Sequence, residues 1–428
     1  MSARRTLPEG ARRGWCPSLT RPMPTGDGLL ARVHPPLGRL TPDQMRAVAE
    51  GARTHGNGHI DVTARGNLQI RGVSEASAPR LACALAEAGL ADTRDDGGPQ
   101  RLTLTAPLAG LDALEAIDVP ALARAVEAAG LAVPGLPPKT LVAVDGGGAF
   151  GLGPVEADFF LFATGRAQVA FGLAGADGPM RCGLLPELGA AGALGLALAA
   201  FAGTGKRRVR DLDPSERAFV AASAGFYPFE PAPLAPAPSP AAPGLAALSK
   251  GRAAVLVQAP FGRCTAERLE RVAALAGPEG ARLSPERGLA LVAPAGDTAA
   301  LQSALAEAGF IVSLDDPRRA VFACPGAPAC RSGTTPVPDH AARLAEALAP
   351  LTGLVTAHVS GCAKGCAHPG PADLTLVARD GVYDAVPGGA PGDAPATRLA
   401  FEAALDRIRK AAAAGRPALN LLFGNDPS

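Results

Sequence analysis

A chain of 428 residues that is 47% hydrophobic and 4% aromatic has material for two or three cores rather than one. Its formal net charge of +1 excludes a general pull toward nucleic acid or an anionic membrane, so any anion must be met by a local cluster of cations. Eight cysteines in this length are too sparse for a disulfide scaffold and suit a reducing cytoplasm.

The chain opens with MSARRTLPEGARRGW, which has no apolar h-region, so a secretory signal is not expected. Trp15 and the turn around it fit a pocket wall or a core anchor equally well. Downstream the chain repeats itself once. VHPPLGRLTPDQMRAVAE (Val33 to Glu50) aligns without a gap with VQAPFGRCTAERLERVAA (Val257 to Ala274). Both copies predict a strand ending at Pro, an apolar-Gly-Arg turn, an N-capping Thr (Thr41 or Thr265) and an amphipathic helix. After a two-residue gap, TARGNLQI (Thr63 to Ile70) matches PERGLALV (Pro285 to Val292). A further helix is predicted at Ala78 to Ala88 and at Thr298 to Ala308. This is the rhythm of a ferredoxin-like α+β unit, and two of them predict a pseudo-twofold pair packed on each other.

The copies differ where chemistry is expected. The first carries Arg65, Asn67, Gln69 and Arg71 at alternate positions, which predicts four side chains on one strand face. The second keeps only Arg287, aligned with Arg65, and turns apolar. A face that is polar in one copy and apolar in its twin points to a ligand surface; a solvated edge strand is the competing reading.

From Leu141 to Phe229 the sequence predicts a strand (LVAVD), a Gly-rich turn (Gly146 to Gly148), a second strand (ADFFLFA) and an Ala-rich helix from Leu188 to Gly203. That helix falls short of the ~20 residues a membrane span needs and is expected to be buried. The Gly run lacks the Lys-Ser/Thr of a P-loop and the spacing of a dinucleotide fingerprint. EPAPLAPAPSPAAPG (Glu230 to Gly244) predicts an extended linker between the halves.

Near the C-terminus Cys324 and Cys330 enclose five residues, and Cys362 and Cys366 enclose three. Four thiolates at such spacings among Gly and Pro suit an iron–sulfur cluster. Structural zinc is the competitor, disfavoured because its knuckles usually span roughly two to four residues. Cys16, Cys83, Cys182 and Cys264 read as core or bystander thiols. His358, His368 and Asp373 flank the second pair, where a two-His-one-carboxylate iron site competes with plain loop hydrogen bonding. His34, His55 and His59 read as surface or supporting groups, His340 as exposed, and Lys364 as a solvated loop residue or a contact to the cluster or substrate.

A duplicated ferredoxin-like half joined to a C-x5-C pair and a C-x3-C pair resembles the siroheme-dependent nitrite and sulfite reductase family over nearly the whole chain. The resemblance implies an α+β fold: duplicated ferredoxin-like half-domains related by a pseudo-twofold, plus α/β nitrite/sulfite reductase-type domains carrying the cluster loops. The corresponding segments are 1–92 (first half-domain with an N-terminal arm), 93–229 (first reductase-like domain), 230–250 (linker), 251–316 (second half-domain) and 317–428 (cluster domain). It also implies that Cys324, Cys330, Cys362 and Cys366 hold a [4Fe–4S] cluster, with the fourth bridging to a tetrapyrrole iron. TARGNLQIRG resembles the family's tetrapyrrole-binding strand, which makes Arg65, Asn67, Gln69 and Arg71 candidate contacts. RLTLTAPLAGLD adds Arg101, LPPK places Lys139 at the position of an active-site lysine, and Arg32 joins from the first strand. Several Arg and Lys on rigid strands suit a polycarboxylate macrocycle, since each guanidinium grips a carboxylate with a planar fork.

Two segments, RRGWCPSLTRPMPTGDGLLARV and HVSGCAKGCAHPGPADL, are similar to a branch of the family in which the tetrapyrrole is substrate and not prosthetic group. That branch implies a monooxygenase placing oxygen from O2 at C20 of precorrin-3A, with γ-lactone closure, in aerobic cobalamin biosynthesis. The cluster would relay an electron from an external reductase or ferredoxin, and a mononuclear non-haem iron would activate O2. Leu141 stands where sulfite reductases carry a second lysine, which counts against sulfite chemistry. A siroheme-dependent nitrite or sulfite reductase is the nearest alternative; a non-enzymatic iron–sulfur carrier or tetrapyrrole-binding protein is the other.

Overall fold

The repeated sequence folds twice into one kind of unit, and each unit completes the other's sheet. A computed structural model describes residues 16–415, so Trp15 lies outside the described residues. The first copy runs β1 (Met23–Pro24), β2 (Leu29–Val33), β3 (Arg39–Leu40), α1 (Pro42–His55), β4 (His59–Val62), β5 (Leu68–Val73) and α2 (Ala78–Glu87). Thr41 starts α1: its hydroxyl accepts from the Gln44 N–H while the Gln44 side chain accepts from the Thr41 N–H.

An α/β domain follows. It comprises β6 (Thr103–Thr105), α3 (Val119–Leu131), β7 (Val142–Asp145), β8 (Phe159–Gly165), β9 (Gln168–Ala174), β10 (Pro179–Pro186), α4 (Glu187–Gly203), α5 (Pro214–Ser223) and β11 (Ala232–Pro233). Its sheet has the order β11-β10-β9-β8-β7-β6, parallel from β6 to β8 and antiparallel beyond. Burial of α4 is confined to one face, Ala190, Leu194, Ala197, Leu198 and Phe201. Leu188 is 99% exposed and Leu196 is also outside, so the expectation of a fully buried helix is corrected. Composition could not show this, because both faces of α4 are apolar. Among the described residues no helix is long and apolar enough to cross a membrane.

The Pro-rich segment is extended, as expected, and lies against this domain: Ser239 and Pro238 carbonyls accept from Gly151 and Gly153 N–H. The second copy then runs β12 (Gly244–Ala247), β13 (Arg252–Gln258), β14 (Arg263–Thr265), α6 (Ala266–Leu275), β15 (Ala281–Ser284), β16 (Gly288–Pro294) and α7 (Thr298–Glu307). The apolar-Gly-Arg turns match in backbone as well as sequence. Leu37 and Phe261 are left-handed (φ 51° and 58°), as are Gly38 and Gly262 after them (φ 70° and 72°). The chain thereby turns β3 and β14 outward, and the halves exchange edges. β14 pairs with β4 of the first copy, and β3 pairs with β15 of the second. One continuous core runs through both halves. Burial of that core supplies the driving force, at about 25 cal/mol per Å² of apolar surface.

The last domain is β17 (Val321–Ala323), α8 (Val337–Leu348), β18 (Ala357–Ser360), β19 (Leu374–Arg379), β20 (Val382–Pro387), β21 (Thr397–Leu399) and α9 (Phe401–Ala414). Its sheet repeats the pattern of β6 to β10: three parallel strands, then two antiparallel. The duplication therefore extends beyond the half-domains. By this correspondence the cysteine loops follow β17 and β18 where the first α/β domain has the loops after β6 and β7, the second being the Gly146 to Gly148 turn.

Candidate functional site: a cationic cleft beside two cysteine loops

One row of side chains crosses the first half's sheet on the face away from its helices. Arg32 on β2 stands opposite Gln69 on β5, Asp61 on β4 is next, and Arg263 on the exchanged strand β14 ends the row. The Gln69 amide oxygen accepts from Arg32 Nε and Nη2 at 3.1 and 2.8 Å. Asp61 accepts from Arg263 Nε at 2.9 Å and from Arg71 Nη1 at 3.0 Å. The corresponding row in the twin sheet is Leu256, Ala290, Arg282 and Arg39. Leu108, Phe150 and Ala241 pack over its apolar end, and Arg39 and Arg282 both donate to the Ala109 carbonyl. One face is open and polar; its twin is plugged.

These pairings correct the ungapped alignment. Asp61 and Arg282 hold the same place, each paired with the exchanged strand, and their partners on the next strand are Gln69 and Ala290, so the copies run one residue out of step with the match of Thr63 to Pro285. Gln69 therefore corresponds to Ala290, and Arg287 is not the structural counterpart of Arg65.

The four alternating residues do not share one strand face. Arg65 and Asn67 belong to the β4–β5 turn, since β5 begins at Leu68. The register between β2 and β5 shifts near Arg71 and Gly72, a bulge that Gly72 permits with φ 68°. Arg71 is 3% exposed and lies between Asp27 (3.0 Å) and Asp61 (3.0 Å). Its remaining donor goes to the carbonyl of Ala329, inside the first cysteine loop. Arg71 is thus spoken for by protein groups.

At the other end of β5, Cys16, Arg32, His34, Arg65, Asn67 and Arg101 line an open cleft of about 170 Å³. Arg65 donates to the Lys139 carbonyl at 3.2 Å. Burial lowers the Arg65 pKa and Arg208 and Arg32 add to the effect, opposed by Asp158 and Cys16. Burial likewise lowers Lys139, with Arg65, Arg208 and Arg32 pushing the same way and Cys16 opposing. Arg32 is lowered by burial against a favourable Cys16. His34 is held well below the ordinary imidazole range by burial, Arg32 and Arg101, and its Nδ1 has no partner. The Asn67 side-chain oxygen is also buried without a partner. Cations that destabilise one another around a void form a site complementary to a polyanion.

Arg101 plays a different part. Its guanidinium donates to the carbonyls of Pro35 (3.2 Å), Gly66 (2.7 Å) and Arg65. Burial brings its pKa down to about 10 despite Glu127, with Arg65 also lowering it. It fixes the turn that presents Arg65, and Gly38 gives it room, since a Cβ there would lie 3.3 Å from Arg101 Nη1. Leu141, buried at the cleft wall, is held through its N–H by Asp158 Oδ2 at 3.1 Å.

The two cysteine loops meet. Gly361 N–H donates to Cys324 Sγ at 3.1 Å, and Gly361 packs against Gly326 and Gly333 so tightly that a Cβ would not fit without adjustment. Burial raises the Cys324 pKa, offset by the Gly361 and Gly326 N–H groups, with Cys330 and Cys362 raising it further. Burial raises Cys366 too, and it feels Cys362, Cys324 and Cys330 together. Four thiols that penalise one another as anions are stabilised as thiolates by metal cations between them. Among the described residues no three His, Cys, Asp or Glu groups close on one ion.

The first loop is fastened to the half-domain that forms the cleft. Gly26 N–H donates to Ala329 O at 3.2 Å, and a Cβ on Gly26 would lie 2.2 Å from the Pro328 carbonyl. Lys364 Nζ reaches Ser332 Oγ at 3.4 Å and so bridges the loops.

His358, His368 and Asp373 do not assemble a metal site. His358 and His368 lie edge to face at 5.9 Å, but Asp373 accepts from Thr356 N–H and Oγ1 at 2.8 and 2.9 Å. His340, expected to be exposed, is stacked on Phe401 at 3.8 Å and bonded to Tyr383 OH at 2.8 Å. Sequence reasoning missed His34 and Cys16 as cleft residues, and Arg208 as part of the cationic group. Arg208 is aimed by Asp158 Oδ1 at 2.9 Å. His34 carried a signal, its place two residues from Arg32; Cys16 and Arg208, farther off along the chain, carried none.

The half-domain that bears the cleft has known relatives. A family model described as the nitrite/sulfite reductase ferredoxin-like half domain matches residues 21–88. Over 401 residues the chain is 39% identical to a precorrin-3B synthase of Sinorhizobium sp, covering 90% of this chain and 84% of that protein. A ferredoxin–nitrite reductase of Leptolyngbya laminosa is 35% identical over 114 residues, 26% of this chain and 22% of that one. The Mycobacterium tuberculosis NirA protein has the same fold, with a TM-score of 0.66 at 20% identity over 93% of this chain and 84% of that chain. On the strength of the near-full-length relative, the chain belongs to the precorrin-3B synthase family, within the nitrite/sulfite reductase-like proteins.

Proposed function

We propose that the chain is an O2-dependent monooxygenase that hydroxylates precorrin-3A at C20 and closes the γ-lactone of precorrin-3B, a step of aerobic cobalamin biosynthesis. One observation carries this reading: a cleft ringed by mutually destabilising cations abuts the half-domain to which a four-cysteine site is fastened. Arg65, Arg32 and Lys139 would bind the peripheral carboxylates, and Arg101 would hold Arg65 in place. Asn67 and His34 offer neutral polar atoms at the cleft wall, suited to orienting a ring edge. Fixing several carboxylates at once places one meso carbon reproducibly, which is how remote binding energy lowers a barrier.

Cys324, Cys330, Cys362 and Cys366 would hold a [4Fe–4S] cluster, which supplies one-electron transfer when bound. The electrons would come from a separate reductase or ferredoxin. All eight cysteines are free, which suits a reducing cytoplasm. Leu141 at the cleft wall offers no charge to a small oxyanion, which weakens the case for sulfite.

The test is an optical and EPR spectrum of anaerobically purified protein, followed by turnover of precorrin-3A with and without O2. The expected result is a weak broad absorption shoulder, a cluster EPR signal on reduction, and product only when O2 and reductant are both present. An intense Soret band with a red-region partner would instead assign a siroheme reductase. Product formed without O2 would overturn the monooxygenase reading.

A further inference from the structure

We infer that the turn from Thr25 to Gly28 is a clasp that holds Cys330 in place, with Gly26 and Asp27 as its positioning residues. Its consequence for the metal rests on the cluster reading above. The turn joins β1 to β2 and is stiffened from within. Thr25 N–H donates to the Gly28 carbonyl at 2.7 Å, and the Thr25 hydroxyl lies 2.8 Å from Asp27 Oδ1 and 2.9 Å from the Gly28 carbonyl oxygen.

Both arms of the clasp end on the carbonyl of Ala329, the residue before Cys330. Gly26 donates its backbone N–H at 3.2 Å, and Arg71 donates Nη2. Asp27 holds that guanidinium by two points, Oδ2 on Nε at 3.0 Å and Oδ1 on Nη2 at 3.1 Å. The nitrogen that reaches Ala329 is therefore one that Asp27 grips directly. Asp61 meets the remaining nitrogen, Nη1, where a single bond leaves a pivot and only the two-point fork fixes the plane. Asn57 Nδ2 in turn steadies Asp27 Oδ2 at 3.1 Å. The other arm is also steric. A Cβ on Gly26 would lie 2.2 Å from the Pro328 carbonyl oxygen, 2.8 Å from the Arg331 nitrogen and 2.9 Å from the Cys330 carbonyl carbon. Glycine alone lets the turn seat on the backbone of Cys330.

The twin half shows that the fold itself does not need these residues. The corresponding hairpin turn, residues 248–252, carries no aspartate, and Val292 follows Leu291 where Arg71 follows Ile70. The acid and its arginine occur only in the copy that meets the first cysteine loop. Loosening the clasp leaves all four thiols present, so iron can still be captured. It frees the backbone around Cys330, and with it the hydrogen bonding and solvent exposure of the sulfurs that set a cluster's potential.

The experiment compares full-length wild type, Asp27→Asn, Gly26→Ala and, as a charge-loss control on the exposed side of α1, Asp43→Asn. Iron and sulfide content, the EPR signal, the reduction potential and the rate of cluster loss to a chelator are read for each. Asp27→Asn and Gly26→Ala are expected to bind iron but to show an altered EPR signal, a shifted potential and several-fold faster cluster loss, with Asp43→Asn unchanged. Signal, potential and loss rate equal to wild type in a folded Asp27→Asn would overturn the inference, and the same result in Gly26→Ala would do so should Asp27→Asn fail to fold. A wild type without iron and sulfide would sink the cluster reading by itself. The clasp is then read in that metal-free chain by iodoacetamide labelling of Cys330 relative to Cys362, mapped by mass spectrometry. A several-fold rise of that ratio in Asp27→Asn or Gly26→Ala supports the clasp, and an unchanged ratio in both overturns it.

Discussion

Arg71 gives its guanidinium to the carbonyl of Ala329, so one end of the ligand-facing strand is locked to the first cysteine loop. Arg65, six residues earlier, donates to the Lys139 carbonyl and faces the cleft. Two arginines from one alternating run therefore do different work, and their substitution should show it.

Arg65→Ala should weaken precorrin-3A binding by a charge-assisted pair, about 1.5–3 kcal/mol. That corresponds to roughly tenfold to a hundredfold in affinity at little cost in stability. Titration of the protein's fluorescence or heat with precorrin-3A measures it. Unchanged affinity would remove Arg65 from the binding surface.

Arg101→Ala should act first on the fold. The substitution leaves the carbonyls of Pro35, Gly66 and Arg65 without their donor in a buried setting. Each buried polar group left unpaired costs about 1–3 kcal/mol, so the unfolding midpoint should fall by several degrees. A melting curve superimposable on wild type would show that Arg101 is not the brace of the turn.

Cys366→Ser should strip or degrade the cluster, whereas Cys16→Ser should keep it. Cys16 lines the cleft, away from the two loops, and Cys366 is within electrostatic reach of the other three thiols of the set. Iron and acid-labile sulfide per chain decide the matter. Full iron in Cys366→Ser, or its loss in Cys16→Ser, would contradict the ligand set.

His358 predicts an acid limb in stability. It is fully buried with neither ring nitrogen partnered, and burial brings its pKa to about 3, with His368 and Arg287 pushing the same way. An unfolded imidazole titrates near 6.5. Between ~6.5 and ~3 the unfolded chain binds a proton that the folded chain refuses, so stability falls as pH falls, by up to about 1.4 kcal/mol per pH unit. Urea unfolding of wild type and His358→Phe from pH 7.5 to pH 5 should show a shallower decline in the variant. Parallel declines would mean that His358 finds a partner on folding.

Much of the architecture was legible because it is written locally. The Thr41 and Thr265 caps and the apolar-Gly-Arg turns depend on residues within a few positions of one another, and they folded as their spacing indicated. The cysteine pairs were legible for the same reason. The register of the twin strands was not, because the shared Arg-Gly of the two equally long turns drew the match one residue away from the pairing of the strands. His340 was misplaced because a helix start on paper does not reveal Phe401 stacked on it. Asp61 was overlooked because its two bonded arginines sit ten and 202 residues away.

The order of residues along the chain thus determined the repeat, its caps and turns, and the two closely spaced cysteine pairs. Tertiary structure decided the rest: that the halves trade β3 and β14, that one polar face stays open while its twin is plugged, and that Arg71 serves a loop while Arg65 faces a cleft. The reason is physical. Helix caps and tight turns are governed by steric and hydrogen-bonding preferences within one turn of chain, whereas the partner of a buried charge is set by which distant backbone happens to arrive beside it.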